Sequence, residues 1–296
     1  MASLRWPALP VDAWHDTYAT LHMWMQVVGK LTLTTTPLVN HWWNVAFHCT
    51  ARGLATLPMN IDRGRTLTAT FDFLSHELVL QSSDGAQERI ALGPKTVARF
   101  HGEVMDALKR MGANIHIWTR PVECEERIPF EQDAKHRTYD PRHVNSFWQA
   151  LDAMRPVFEG FRARFVGKCS PLHFFWGAPD LALTRFSGRV ATPAQGADHV
   201  EREAYSHEVI SHGFWPGGGG YEACFYAYAR PEPEGFKAAQ VQPVAAKYDA
   251  TWAEFMLPYE AVRTARDPEA ALMQFLESTY AAAAELGHWD RRTLER

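Results

Sequence analysis

Apolar residues recur at three- and four-residue steps in four stretches of the chain, and they alternate with polar ones in most of what lies between. Trp14, Tyr18, Leu21, Met25 and Val28 make one face of a first helix, predicted to start after Asp12 as its N-cap and to end near Gly29. A second helix is predicted from Thr96 to Met111, with Val97, Phe100, Val104 and Leu108 on one side and Gly112 as its stop. The third has the clearest pattern. Asp140 caps it, Pro141 opens its first turn, and Val144, Phe147, Leu151, Met154, Phe158 and Phe161 form an unbroken stripe that reads as core packing. Asp267 and Pro268 open a fourth helix that closes at Gly287.

Two-residue alternation predicts strands over 43–49, where Trp43, Val45, Phe47 and Cys49 share a face, and over 67–73. Strands at 78–81 and 89–92 flank Asp84-Gly85, a hairpin signal. Further strands are predicted at 114–118, 172–176, 181–187, 203–211, 221–229 and 252–257. The polar, proline-punctuated stretch 121–137 reads as a linker or crossing loop.

Runs of strands between flanking helices predict an α+β fold with mainly antiparallel sheet, not alternating βαβ units. The halves also resemble each other. Gly29-Lys30 precedes Thr36-Pro37-Leu38 and an aromatic cluster at His41, Trp42 and Trp43; Gly167-Lys168 precedes Ser170-Pro171-Leu172 and a cluster at His173, Phe174, Phe175 and Trp176. This points to an internal duplication of a helix–strands–helix unit, residues 1–136 and 137–296, packed as one compact module with a cleft at the junction.

Composition narrows the class. With 46% hydrophobic and 22% charged residues over 296 positions, the chain reads as a well-packed soluble globule. A net charge of −4 without a basic stripe excludes a nucleic-acid footprint. No apolar run is long enough to span a membrane, and the first residues lack a leader pattern. Cys49, Cys124, Cys169 and Cys224 are widely spaced, which predicts reduced thiols in a cytoplasmic protein and neither a disulfide frame nor a zinc site.

Chemically capable side chains concentrate in 171–228. His207 and His212 flank Glu208 with one residue more than a zinc-protease helix requires. Val209-Ile210 places them on a strand, where residues five apart point to opposite faces. Metal-free chemistry is favoured, although His207 and Glu208 with a distant third ligand stay open as a mononuclear site. Arg185 shares a face with Leu181 and Leu183, so burial would require an anionic partner, with Glu208 or Glu222 as the choices. Gly217 to Gly220 lack the Lys-Ser/Thr of a phosphate loop and read as a hairpin or flap with Trp215 as its lid. His48-Cys49-Thr50 matches HxT, but no second HxT faces it in the other half.

The stretches HFFWGAPDLALTRFSGR (173–189), EAYSHEVISHGFWPGG (203–218), YARPEP (228–233) and MLPYEAVR (256–263) together resemble a bacterial and fungal family of uncharacterised proteins. The resemblance runs from Trp6-Pro7 to Trp289-Asp290-Arg291 and implies one full-length module with no assigned activity. His173, Trp176, Asp180, Arg185, His207, Glu208 and Trp215 match the family motif; His48 and His212 depart from it. The resulting expectation is a small-molecule enzyme. His207 and Glu208 would act as acid and base, with His173, Trp176, Arg185 and Trp215 binding an anionic substrate. The alternative is a non-catalytic binder with an aromatic-lined pocket. No cofactor or oligomeric state is assigned.

Overall fold

The computed structural model describes residues 5–192 and 194–296. The first residues of the predicted leaderless N-terminus, 1–4, lie outside the described residues. Helix α1 (Val11–Thr35) is followed by a 3-10 turn at Asn40–Trp42 and by β1 (His48–Thr50), β2 (Gly53–Ala55), β3 (Met59–Asn60), β4 (Thr66–Asp72), β5 (Glu77–Ser82), β6 (Gln87–Ala91) and α2 (Val97–Arg110). Then come α3 (Pro141–Ala163), β7 (His173–Phe175), β8 (Asp180–Val190), α4 (His199–Ala204), β9 (His207–Trp215), β10 (Cys224–Arg230), β11 (Lys247–Asp249) and β12 (Glu254–Pro258). Helices α5 (Tyr259–Arg263), α6 (Pro268–Leu286) and α7 (Arg291–Leu294) end the chain. This is the predicted α+β fold with antiparallel sheets.

One sheet runs β1-β2-β4-β5-β6, with β3 pairing β4; the other runs β11-β12-β10-β9-β8-β7. Their edges meet where Phe47, just before β1, and Phe174 of β7 exchange backbone hydrogen bonds of 2.8 and 2.7 Å. Phe47 and Phe174 are fully buried, and Phe147 of α3 meets Phe174 edge-on at 5.8 Å. Each half has a long helix, six antiparallel strands and a later helix, but in the second half α4 interrupts the strands and α5 and α7 flank α6. The residue pairing read from the sequence does not hold, because Gly29-Lys30 lies inside α1 while Gly167-Lys168 lies beyond α3.

Several boundaries differ from expectation for physical reasons. Pro10, not Asp12, is the cap residue of α1, and Asp12 sits in the first turn, where a carboxylate favours the positive helix end. The helix does not stop at Gly29. A Cβ there would lie 2.3 Å from the Trp176 indole, so this glycine makes room for a ring. The alternation over 43–49 is strand only at its end, because His41 and Trp42 take left-handed φ of 57° and 62° and turn the chain. The predicted strand at 114–118 is not formed: Ala113 and Ile115 are buried and their neighbours exposed, but the segment pairs with no strand among the described residues. The start of the predicted strand 203–211 is α4, nucleated by the Asp198–Glu201 capping box.

Gly29→Ala is expected to destabilise the protein by about 1–3 kcal/mol through overpacking against Trp176. Gly102→Ala inside α2, where a Cβ meets nothing within 4 Å, should be neutral or stabilising by up to about 1 kcal/mol. Chemical denaturation of both variants checks this; equal effects would remove the packing role of Gly29.

Candidate functional site

Strand alternation sorts the residues singled out above. In β8 and β9, Leu183 pairs with His212 and Arg185 with Ile210. This face turns to the helices, since His212 Nε2 lies 3.1 Å from Thr279 of α6 and its ring 4.9 Å from Phe161 of α3. Thr279 Oγ1 donates to Phe275 O, so His212 Nε2–H is the donor. Asp180, Ala182, Thr184 and Phe186 of β8 and His207, Ser211, Gly213 and Trp215 of β9 belong to the opposite, outer face. His207 and His212 are thus on opposite faces, as their spacing on a strand requires.

The six predicted site residues do not converge. Arg185, 1% exposed, has no carboxylate ion-pair partner among the described residues: neither Glu208 nor Glu222 reaches it. Its guanidinium lies 3.4 Å from the Phe161 ring centroid, 4.2 Å from Tyr280 and 5.0 Å from Phe165, and Nη2 donates to Phe161 O in the last turn of α3. Aromatic faces and the negative end of a helix replace the expected anion. Glu208 accepts from Ser187 Oγ at 2.9 Å and from Arg189 Nε at 2.7 Å; Arg189 also donates to the carbonyls of Gly287 and His288, tying β8 to the end of α6. This ion pair borders a shallow pocket of about 130 Å³ with Arg230, Pro231 and Trp289. Trp176 is buried on α1, and its Nε1 donates to Val45 O at 2.8 Å.

His173, His207 and Trp215 do share the outer face. His173 is buried beside His48 and Phe175, and burial pushes it down to about 3, with His48 adding to the shift. His207 lies 5.9 Å from His41. Trp215, Tyr221 and Trp252 form a triad with 5.8 Å between each pair of ring centroids. All four glycines of Gly217–Gly220 have positive φ, and Gly218 and Tyr221 exchange backbone hydrogen bonds, so the run forms a closed turn.

Between these residues the outer face carries a polar cluster that the sequence did not single out as a unit. Tyr226 of β10 pairs with Gly213, where a Cβ would lie 2.3 Å from the tyrosine Cζ and hydroxyl. The missing side chain lets the ring lie across β9, so its hydroxyl donates to Asp180 Oδ2. Tyr228 stacks on Tyr226 at 6.0 Å, and its hydroxyl is 3.2 Å from that of Tyr205. Thr184 and Ser211 hydroxyls meet at 2.8 Å. Glu254 precedes Phe255, the partner of Ala227, and so stands beside Tyr228.

Two carboxyls here are strongly perturbed. Asp180 is pushed up to about 7 by burial, against the pull of the Tyr226 hydrogen bond and with help from the Glu123 charge. Glu254 is pushed up to about 7, first by burial and then by Asp180. Burial also raises Glu123, opposed by the Ala178 N–H. Asp180 and Glu254 are nonetheless partly open to solvent. The Tyr18 hydroxyl of α1 has no hydrogen-bond partner among the described residues and is raised by burial and by Asp180.

Helix α4 lies at the edge of this face, fastened by the left-handed pair. His41 N donates to Glu203 Oε1 at 2.9 Å, and Trp42 Nε1 donates to Val200 O at 3.2 Å. His41 Nδ1 faces the carbonyls of Glu203 and Ala204 and donates, leaving Nε2 to accept from Lys168 Nζ at 2.7 Å. Tyr205, next after α4, then reaches Tyr228. Among the described residues, no three His, Cys, Asp or Glu side chains are grouped as metal ligands.

The signals for this cluster were present. Phe225-Tyr226-Ala227-Tyr228 alternates with both hydroxyls on one face, and a glycine inside a strand marks a close approach. Asp180 stood in the family motif, whereas Glu254 and Glu123 had no local signal.

The pH dependence of stability tests the perturbed carboxyl. Asp180 keeps its proton to about pH 7 in the fold, whereas unfolded it loses it near 4. The folded state therefore binds more protons between these values, and stability falls as pH rises through that window and then levels. Asp180→Asn removes this dependence. Allowing for partial exposure, the variant should gain about 1–2 kcal/mol over the native protein on going from pH 4 to pH 8 in urea unfolding. An unchanged difference between the two pH values would show that Asp180 titrates normally.

No curated protein and no solved structure matches this chain. A family model does, over residues 6–296, nearly the full length and including every residue of the outer-face cluster. The chain therefore belongs to DUF5996, a family of unknown function.

Proposed function

We propose that the outer-face polar cluster binds a small polar molecule and carries out proton transfer on it, with Asp180 as general acid/base and Tyr226 as its hydrogen-bonding partner. The observation that carries this reading is the Tyr226–Asp180 contact across Gly213, on a carboxyl that is crowded but reachable. A group that titrates near neutrality both gives and takes a proton at low cost. Glu254, the Tyr205 and Tyr228 hydroxyls, Thr184 and Ser211 would orient the ligand. The carboxyls favour an uncharged or cationic ligand over the anionic one expected from Arg185, whose guanidinium is enclosed by rings. His207 and His173 stay in the reading as neighbours on the same face. The acid/base role moves from Glu208, which is held by Arg189, to Asp180.

The second reading, a binder without turnover, is favoured by the Trp215–Tyr221–Trp252 triad, a platform on which an apolar ligand face can stack. Four free cysteines fit a reducing, cytoplasmic setting, which fractionation would test. The shared order of elements supports duplication into halves 1–136 and 137–296; superposing α1 through α2 on α3 through α6 would refute it if the strands did not coincide.

Incubation with a library of polyols, sugars and amines, followed by mass spectrometry, tests the main reading. Turnover of one member should fall about 10²–10⁴-fold in Asp180→Asn, with Kd changed less than about tenfold. Binding without turnover moves the protein to the second reading. Neither binding nor turnover across the library removes both.

A further inference from the structure

Away from the outer-face cluster, the buried amine of α1 lacks a hydrogen-bond partner among the described residues. Lys30 of α1 is 1% exposed, and its Nζ has no hydrogen-bond partner among the described residues. It lies 4.6 Å from the Trp118 ring centroid and 5.9 Å from that of Trp176. These rings attract a cation but accept no proton. The titratable group that acts on Lys30 is the Cys124 thiol, itself kept protonated mainly by burial, with Arg127, Glu126 and Glu123 acting on that thiol. Burial lowers the Lys30 ammonium to about 8. A lysine stripped of water with no carboxylate beside it is partly free amine near neutral pH, and a free amine is a nucleophile.

The cover over this amine is thin. Trp118 is 62% exposed and belongs to the 113–118 segment that joins no strand. This exposed ring, 4.6 Å from Nζ, is the side chain whose rotation would let a ligand approach the amine. The opposite wall is fixed, because Trp176 is held by Val45 O and seated on Gly29.

We propose that Lys30 is a reactive amine that condenses with a planar aromatic aldehyde or ketone, which takes the place of the Trp118 indole over Nζ. The Nζ lone pair attacks the carbonyl carbon and the C=O π pair moves to oxygen. The oxygen then departs as water with the two amine protons, and a C=N bond remains. No oxidant or reductant is consumed.

The full chain is treated at pH 8 with 2-hydroxybenzaldehyde and cyanoborohydride, which reduces and fixes the imine, and the modified peptides are mapped by mass spectrometry. Lys30 should be modified at least about tenfold faster than the exposed Lys109 and Lys237, with a rate rising through about pH 8, well below the ordinary lysine range. Trp118→Ala should raise the Lys30 rate further and leave Lys109 unchanged, and Lys30→Arg should abolish the fast phase. A Lys30 rate in the native protein no greater than that of Lys109 overturns the proposal, whatever the variant does.

Discussion

The seam between the two sheets is the constraint on which the rest depends. Two backbone hydrogen bonds between Phe47 and Phe174 join their edges, and each is worth only about 1 kcal/mol net. The seam persists because of what is buried around it. Phe47 and Phe174 are fully enclosed, Phe147 closes over one of them, and Trp176 plants its indole on α1 at the one position without a side chain. Placing Trp176 there fixes where the turn 177–179 emerges, and with it the start of β8. Asp180 is the first residue of β8. The orientation of the outer-face carboxyl is thus set by a packing contact made by the residue four before it.

The outer face of the second sheet follows a different logic from the helix side. On the helix side, Leu183, Ile210, Phe214 and Phe225 are closed off from solvent by α3 and α6, where His212 Nε2 meets Thr279 and Arg185 Nη2 donates to Phe161 O. On the outer face small and polar residues persist: Ala182, Thr184, Ser211, Gly213, Tyr226, Tyr228. A sheet that needed only to be covered would place β-branched or aromatic residues at 182 and 213. Instead a tyrosine lies over a glycine and reaches a carboxyl, and a six-residue helix is held beside it by strained left-handed residues. Strain of that kind persists where neighbouring contacts impose it, here the capture of Glu203 and Val200 by His41 and Trp42.

Periodicity made most of the framework legible. The α3 stripe, the Asp140 and Asp267 caps and the Asp84-Gly85 hairpin are local signals that tertiary structure reinforces. Two of the misreadings share one cause: a local sign whose meaning was set by distant structure. Gly29 looked like a helix stop because the chain carries no mark that Trp176, far along the sequence, needs that surface. The 113–118 segment alternates like a strand, but alternation reports burial on one side, not the presence of a pairing strand. The candidate site was half legible. The sequence pointed to β8 and β9, which carry part of the outer face, and His207 and His212 lie on opposite faces as their spacing requires. The polar cluster itself is assembled from β8, β10, β12, α1 and the 121–137 crossing segment, and no window of sequence contains it.

Arg185 shows how far a rule about buried charge extends. A guanidinium taken out of water requires compensation, and the sequence argument took that to mean a carboxylate. The compensation is spread instead over three ring faces and one carbonyl at the end of α3. Each contact is modest, but the guanidinium is planar, weakly hydrated and able to stack while it donates, which an ammonium cannot do. Lys30 shows the contrast. Among the described residues it has rings but no hydrogen-bond acceptor, and burial lowers its ammonium to about 8, so the free amine is within easier reach. Two buried cations enclosed by aromatic rings thus differ in chemistry because one reaches a helix C-terminal carbonyl and the other does not.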